Sequence, residues 1–242
     1  MSAPDHIIKE ILLRTQPHPE PRQPTMHLAL QLLNTLERVN ILETGTTRGP
    51  NEGVATIVFA NFILCSIEQK SKLGKLWTVD LDHDSIQNIE LTLKKWKIEV
   101  ECVESDSVKF LNGFTENVDL LYLDSLADHV RDPQTMQLVR AGGREHQLAE
   151  AKAAFDAGIV HEKTIILLDD QRIRSFNMFN GNDDNGKGIM SIPFLRKKGW
   201  SIINETGCQA VLINEKAWDS ALVNNMIDFV EGRILSQSPF QW

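Results

Sequence analysis

The stretch NILETGTTRG, residues 40–49, contains the end of the first strand that the sequence predicts. Its apolar part stops at Glu43 and passes into a loop of Gly, Thr and Arg. Glycine lets a backbone approach another group closely, and an acid is uncommon at a buried position. Two interpretations are open from these residues alone. One is a tight turn after a buried strand, and the other is a loop that cradles a nucleotide.

Strands alternate with helices from residue 39 onward. The predicted strands are VNILET, KLWTVDLD, IEVECVES, VDLLYLDS and KTIILLDD, and four segments with helical periodicity separate them. The first of these helices runs from Asn51 to about residue 70, and the second is DSIQNIELTLKKW, with Asp84 or Ser85 as its N-cap. The third is the short SDSVKFLNGF, and the fourth is EHQLAEAKAAFDAG, which ends at Gly158. Because parallel strands need such right-handed crossovers, the pattern predicts a doubly wound α/β sheet.

The C-terminal part breaks this alternation. GWSIINETGCQAVLINE predicts two strands joined by a tight turn, and a tight turn joins antiparallel strands. We therefore expect a Rossmann-like sheet of seven strands with helices on both faces, mostly parallel, in which the last strand is antiparallel. A helix over AWDSALVNNMIDFVEGRIL follows the sheet.

Two further helical stretches precede the alternating pattern. They are DHIIKEILLRT and TMHLALQLLNTLERV, and the proline-rich PHPEPRQP separates them. We expect residues 1–38 to form a helical extension and residues 39–242 to form one domain. The extension offers a surface for a homodimer.

Composition narrows the class of protein. The 42% hydrophobic and 24% charged residues are ordinary for a globular protein, and no apolar run approaches the roughly 20 residues that span a bilayer. The N-terminal MSAPDHIIKE has no signal-peptide pattern and the three cysteines lack CxxC spacing, so we expect a cytoplasmic location. A net charge of −8 disfavours non-specific nucleic-acid binding. We expect a small-molecule substrate, with no nucleic-acid or membrane partner.

Acidic residues follow every predicted parallel strand, and the carboxyl ends of such strands meet at one edge of the sheet. They are Glu43, Asp80, Asp106, Asp124 and the pair Asp169 and Asp170. This row disfavours a phosphate ligand, and the first loop has neither GxGxxG nor GxxxxGK[ST]. A cationic ligand that carries a ribose fits better, because an acid at the end of the second strand can accept both ribose hydroxyls.

The order of these motifs resembles the class I S-adenosylmethionine-dependent methyltransferases, in the branch of the catechol O-methyltransferases and the macrocin or cephalosporin-tailoring enzymes. The resemblance covers about residues 36–215. It rests on LETGTTRG, WTVDLD, ESDSVKFL, VDLLYLDS and IILLDDQ, in that order, and on the terminal antiparallel strand. It implies S-adenosylmethionine as cofactor and O-methylation of a small-molecule hydroxyl.

The resemblance also implies roles for single residues. Asp80 would bind the ribose hydroxyls, Leu81 would lie against the adenine, and Asp124 would sit beside the methyl donor. The full set implied in cofactor binding is Glu43, Thr44, Gly45, Thr46, Thr47, Gly49, Asp80, Leu81, Asp106, Ser107, Asp124 and Ser125. The long interval between Gly49 and Asp80 leaves open whether Gly49 or Gly53 faces the cofactor.

A metal site and a direct base are alternative interpretations of the remaining acids. In the catechol-type branch, carboxylates after the fourth and fifth strands hold a divalent cation. Asp124, Asp170 and Gln171 occupy the matching places, which implies a Mg²⁺ site. In that branch a lysine serves as base, but this chain has Ala127 at the matching position. The alternative is therefore that Asp124, Asp170 or His129 acts as a direct general base.

Two other functions stay open. One is a metal-dependent hydroxylase-like enzyme on the same fold, and the other is a non-catalytic protein that binds a nucleoside or a protein partner. Two segments, residues 127–145 and residues 172–188, are expected to cover an acceptor.

Overall fold

The computed structural model describes residues 23–47, 55–70, 72–94, 99–126, 129–131, 138–140, 142–170, 186–206 and 209–237. The first predicted N-terminal helix, Gly49, Gly53 and Gln171 lie outside these ranges, and so does most of the segment 172–188. Among the described helices, none has the length and apolar character needed to cross a membrane.

Seven helices and nine strands make up the described part of the chain. The helices are α1 (Gln23–Leu33), α2 (Ala55–Lys70), α3 (His83–Leu93), α4 (Ser107–Gly113), α5 (Gly143–Asp156), α6 (Gly188–Lys197) and α7 (Ser220–Gln237). The strands are β1 (Arg38–Thr44), β2 (Leu73–Asp80), β3 (Glu99–Glu104), β4 (Val118–Leu123), β5 (His129–Arg131), β6 (Leu138–Arg140), β7 (Val160–Leu168), β8 (Ser201–Thr206) and β9 (Gln209–Ile213). A short 3₁₀ turn spans Glu215–Ala217.

Seven of these strands form one sheet, in the order β3-β2-β1-β4-β7-β9-β8. The strands from β3 to β7 in this order pair in parallel, whereas β9 is antiparallel to both of its neighbours. The predicted sheet of seven strands, mostly parallel with the last one antiparallel, is confirmed. Strand order reverses beside β1, so the carboxyl ends of β1 and β4 flank the switch point at which such sheets bind ligands.

Hydrophobic cores cover both faces of the sheet. On one face, α1, α2 and α7 contribute buried side chains, and on the other α4, α5 and α6 do so. Helix α1 is buried nearly all round, with Leu28, Leu30, Leu32 and Leu33 at 0% exposure. This helix belongs to the predicted extension and packs on the sheet and α7. The division of the chain at residue 38 stays a prediction.

The structure corrects one local prediction and refines another. The N-cap of α3 is Asp82, whose carboxylate accepts from the Ser85 amide, so Asp84 and Ser85 were wrong as cap residues. An acid one residue before the first helical turn reaches an unpaired amide there, which a residue already inside the helix cannot do. The segment 127–145 contains an antiparallel hairpin of β5 and β6.

Candidate functional site

The loop after β1 is tied directly to the ends of β2 and β4. The Gly45 amide donates to the Val79 carbonyl at 2.8 Å, and the Asp124 amide donates to the Thr44 carbonyl at 3.0 Å. Gly45 has a φ of +84°, and a Cβ there would lie 2.4 Å from the Asp124 carbonyl oxygen. The glycine is therefore needed for a close approach within the protein itself, because no other residue fits against this backbone.

Glu43 lies beneath this loop as a buried acid. Its side chain is 1% exposed, and its Oε2 accepts from the Thr56 hydroxyl at 2.6 Å and the Thr78 hydroxyl at 2.8 Å. Burial raises the pKa of Glu43 to about 8 against the lowering effect of these hydroxyls, and the charge of Asp80 adds to the rise. Glu43 is thus a neutral acid over much of the physiological pH range.

Thr56 on α2 connects Glu43 to the loop above it. Its hydroxyl donates to Glu43 and accepts from the Thr47 amide at 3.0 Å, and it lies 3.3 Å from the Thr46 hydroxyl. The Thr47 hydroxyl also donates to it at 3.0 Å. One buried hydroxyl thereby holds Thr46 and Thr47 at the start of the loop after β1.

An open cleft of about 720 Å³ lies beyond the carboxyl ends of β2, β3 and β4. It is lined by acids, hydroxyls, one imidazole and three apolar side chains: Val79, Asp80, Leu81, Asp82, Ser105, Asp106, Ser107, Ser125, Leu126 and His146. A cleft of this volume is large enough for a nucleoside-sized ligand.

The acids of the cleft are held by backbone amides. Asp80 accepts from the Thr46 amide with Oδ2 and from the Asp82 amide with Oδ1, both at 3.0 Å. Asp106 caps α4 by accepting from the Lys109 amide at 2.8 Å. These amides fix the orientation of both carboxylates in the cleft.

Two exposed leucines contribute apolar surface to this cleft. Leu81 follows the last residue of β2 and is 68% exposed, and Leu126 is 39% exposed. Exposed apolar side chains in an open, otherwise polar cleft suit a flat apolar ring.

Half-buried His146 lines the cleft at α5 and is paired with the buried Glu150. His146 Nε2 lies 2.9 Å from the Ser107 hydroxyl and 3.5 Å from Glu150 Oε1. Glu150 is 1% exposed and also accepts from the Ser125 hydroxyl at 2.6 Å. The hydrogen bond with Glu150 raises the pKa of His146, although burial opposes the rise. The pair connects the end of β3 to the end of β4.

Three carboxylates meet where β4 and β7 end. One oxygen from each of Asp124, Asp169 and Asp170 lies within 4.8 Å of the others. The Lys187 ammonium lies between two of them, 2.8 Å from Asp124 Oδ1 and 3.2 Å from Asp170 Oδ2. Burial and the charge of Asp169 raise the pKa of Asp124, which Lys187 counteracts. Burial alone would lower the pKa of Lys187, but the charges of the three acids outweigh it and raise this pKa.

The backbone brings this lysine to the acids. Asp170 adopts a φ of +53°, the left-handed conformation that non-glycine residues seldom take, and its carbonyl accepts from the Lys187 amide at 2.8 Å. Tyr122 donates to Asp124 Oδ2 at 3.2 Å, and Gln209 in turn donates to the Tyr122 hydroxyl at 3.3 Å. Both oxygens of Asp124 therefore have a donor.

Solved structures that are similar to this chain include methyltransferases. The SAH-bound Podospora anserina methyltransferase PaMTH1 is similar over 88% of this chain and 88% of its own, with a TM-score of 0.53 and 12% sequence identity. A SAM-dependent methyltransferase from Aquifex aeolicus matches over 85% of this chain and 97% of its own, with a TM-score of 0.48 and 12% identity. An rRNA methylase from Streptococcus thermophilus matches over 77% and 94%, with a TM-score of 0.49 and 10% identity.

The chain has a Rossmann-like methyltransferase fold. At such low identities the likeness to PaMTH1 concerns the fold alone. No protein-family model matches the sequence, and no curated protein matches it either.

Within this methyltransferase fold, the predicted cofactor residues occupy two kinds of position. Asp80, Leu81, Asp106, Ser107 and Ser125 line the cleft. Glu43, Thr44 and Thr46 are buried at the end of β1 and in the loop after it, and the Thr46 amide holds the carboxylate of Asp80. Gly49 lies outside the described residues. The donor set of the cleft, with acids for ribose hydroxyls and leucines for a purine, fits S-adenosylmethionine.

The residues at the other end of the site do not fit the Mg²⁺ that the catechol-type branch implies. Lys187 already places an ammonium between the oxygens of Asp124 and Asp170 that would hold the ion. A divalent cation prefers all-oxygen coordination and would stand beside this positive charge. Gln171 lies outside the described residues, and of His129 the structure describes only its place in β5.

Sequence reasoning missed three groups of this site. Lys187, the pair His146 and Glu150, and Thr56 each contact a predicted residue but come from a different part of the chain. Lys187 stands between two glycines in a segment rich in Asn and Asp. Glycine on both sides is a weak indication that the backbone around this lysine approaches another part of the protein closely.

Proposed function

We propose that this protein transfers a methyl group from S-adenosylmethionine to a hydroxyl of a small molecule. The observation that carries the proposal is the cleft at the ends of β2 and β3, in which the acid Asp80 stands next to the exposed Leu81. An acid for a ribose and an apolar surface for a purine, next to the switch point between β1 and β4, are what a nucleoside cofactor requires.

Asp80 would hold the ribose hydroxyls. Two backbone amides fix its carboxylate in the cleft, so little conformational entropy is lost when a ligand binds to it. Leu81 and Leu126 would offer the adenine an apolar surface, and the polar edge of the ring would meet Asp106 and Ser107. The net charge of the site suits a cofactor that carries a sulfonium and an ammonium group.

Asp124 is the group best placed to accept the proton of the acceptor. S-adenosylmethionine, when bound, supplies a methyl group whose bond to sulfur breaks as the acceptor oxygen attacks, with the electron pair staying on sulfur. Asp124 follows β4 at the far end of the site, and its side chain is 29% exposed. Its carboxylate would take the hydroxyl proton, and Tyr122 would orient it. Asp170, 38% exposed, and His129 are the other candidates for this role.

The acceptor class follows from charge. The formal net charge of −8 and the acids around the site favour an uncharged or cationic metabolite over a polyanion. A cytoplasmic location and membership of the catechol-type branch are part of the proposal. The Lys187 ammonium between Asp124 and Asp170 argues for a reaction in which a carboxylate takes the acceptor proton, and against one in which a metal ion activates the acceptor.

Two exposed leucines, one at each end of β2, give a matched test. Leu73 begins the strand and is 71% exposed, and Leu81 follows its last residue and is 68% exposed. Covering roughly half of a leucine is worth about 1 kcal/mol, which is about fivefold in a dissociation constant. In calorimetric titrations with S-adenosylhomocysteine, Leu81→Ser should bind about fivefold more weakly than the wild type. Leu73→Ser should bind like the wild type, and both variants should keep its stability.

An Asp80→Ala variant completes the experiment. It should lose binding while circular dichroism shows that it is folded. Absence of binding in the folded wild type would refute the proposed function and favour a non-catalytic interaction protein. Binding without transfer to any hydroxyl acceptor, together with a metal requirement, would favour the hydroxylase-like alternative.

A further inference from the structure

The acid cluster after β4 and β7 already contains a cation of its own. Asp124, Asp169 and Asp170 bring three carboxylates within 4.8 Å, and a cluster of like charges at this distance needs positive charge to stay ionised. The Lys187 ammonium provides it, with 2.8 Å to Asp124 and 3.2 Å to Asp170.

Lys187 is held in this position from two sides. Its side chain is 2% exposed, so the ammonium has exchanged water for these carboxylates. Its amide donates to the Asp170 carbonyl at 2.8 Å, which fixes the backbone of the lysine next to the acid that the side chain contacts. Removing the ammonium from the acids while it stays buried would leave a charge without a partner, which is costly.

Three of the four carboxylate oxygens of Asp124 and Asp170 already have a partner in the protein. Asp124 Oδ1 accepts from Lys187 and its Oδ2 accepts from Tyr122, while Asp170 Oδ2 accepts from Lys187. Mg²⁺ requires near-octahedral oxygen coordination at about 2.1 Å, and a divalent ion bridging Asp124 and Asp170 would lie within a few ångströms of the ammonium. The repulsion between the two cations opposes joint occupancy.

We infer that Lys187 is the resident cation of this cluster and takes the place of a divalent metal. The site then holds its acids together and positions Asp124 with no bound ion. This inference concerns the same end of the site as the proposed reaction, but it does not depend on that reaction, because metal binding can be measured without any cofactor.

Removal of the ammonium should open the cluster to a metal. We would titrate Mn²⁺ into the wild type, Lys187→Ala and Lys187→Ala combined with Asp124→Asn, and follow free Mn²⁺ by electron paramagnetic resonance. Lys187→Ala should gain one site at least tenfold tighter than any in the wild type, and the double variant should lose it. A folded Lys187→Ala protein without this gain would overturn the inference, and so would a stoichiometric site in the wild type that Asp124→Asn removes.

A second measurement uses the wild type, in case Lys187→Ala does not fold. A buried lysine ammonium exchanges its protons slowly enough to give its own signal in ¹⁵N-resolved NMR of ¹⁵N-lysine-labelled protein, and Lys187→Arg assigns the signal by its loss. This signal should be unchanged in 10 mM Mg²⁺. That concentration is about tenfold above the dissociation constants of the weakest protein sites for such cations, which are about 1 mM. A saturable shift of the Lys187 signal would show that Mg²⁺ enters the cluster and would overturn the inference. S-adenosylhomocysteine titrations decide the proposed function separately.

Discussion

Replacement of Glu43 by glutamine should change how the stability of the protein depends on pH. The carboxyl of Glu43 is 1% exposed beneath the loop after β1, and burial raises its pKa to about 8, from 4.5 in an unfolded chain. Glutamine has the same shape and keeps one acceptor oxygen for the hydroxyls of Thr56 and Thr78, but it cannot ionise.

The size and sign of the effect follow from proton linkage. Between pH 4.5 and about 8, the unfolded chain has released the proton of Glu43 while the folded protein keeps it. A rise in pH over this window therefore favours unfolding of the wild type, and the stability present below pH 4.5 is lost as pH approaches 8. Each pH unit is worth about 1.4 kcal/mol per proton, so the full window corresponds to about 5 kcal/mol as an upper limit.

Urea unfolding followed by tryptophan fluorescence measures this directly. The free energy of unfolding of Glu43→Gln should differ little from that of the wild type at pH 5 and exceed it by several kcal/mol at pH 8.5. Glu68→Gln, which changes an exposed glutamate of α2, serves as the control and should follow the wild type at every pH. A difference between Glu43→Gln and wild type that stays constant from pH 5 to 8.5 would refute the assignment of Glu43 as a neutral buried acid.

Two further predictions concern the loop after β1 and the side of the cleft. Gly45→Ala should lower the free energy of unfolding by at least about 2 kcal/mol more than Gly142→Ala. Both glycines have φ above +80°, but only at Gly45 would the new methyl group clash with the backbone of another segment. Equal losses in urea unfolding would contradict this. Glu150→Gln should lower the pKa of His146, since the Glu150 hydrogen bond raises it, and an unchanged titration of the His146 ring signal in proton NMR would count against the pair.

The parallel sheet could be predicted from the sequence because its central strands are buried on both faces. All six residues of β4 and the last five of β7 are buried, so VDLLYL and TIILL are almost continuously apolar, apart from Asp119 and Thr164. The acids after these strands mark the site for the same reason, because a charge at the end of such a run must lie at the edge of the sheet.

The partners of these acids could not be predicted, because they are distant in the chain. Lys187 is 63 residues from Asp124, and Glu150 is 25 residues from Ser125. A lysine that will be buried by three carboxylates has the same local pattern as a solvated lysine. The interpretation of Gly45 was incomplete for a similar reason, since the backbone of Asp124 and Ser125, which meets it, comes from another strand.

The hydrogen bond between the Lys187 amide and the Asp170 carbonyl joins the end of β7 to the residue before α6. The side chains of the same two residues form an ion pair in the acid cluster, so one backbone contact sets both the start of α6 and the separation of these charges. A substitution that shifts the backbone at Asp170 should therefore disturb the docking of α6 and the acid cluster together, and its effects on the two should not be separable.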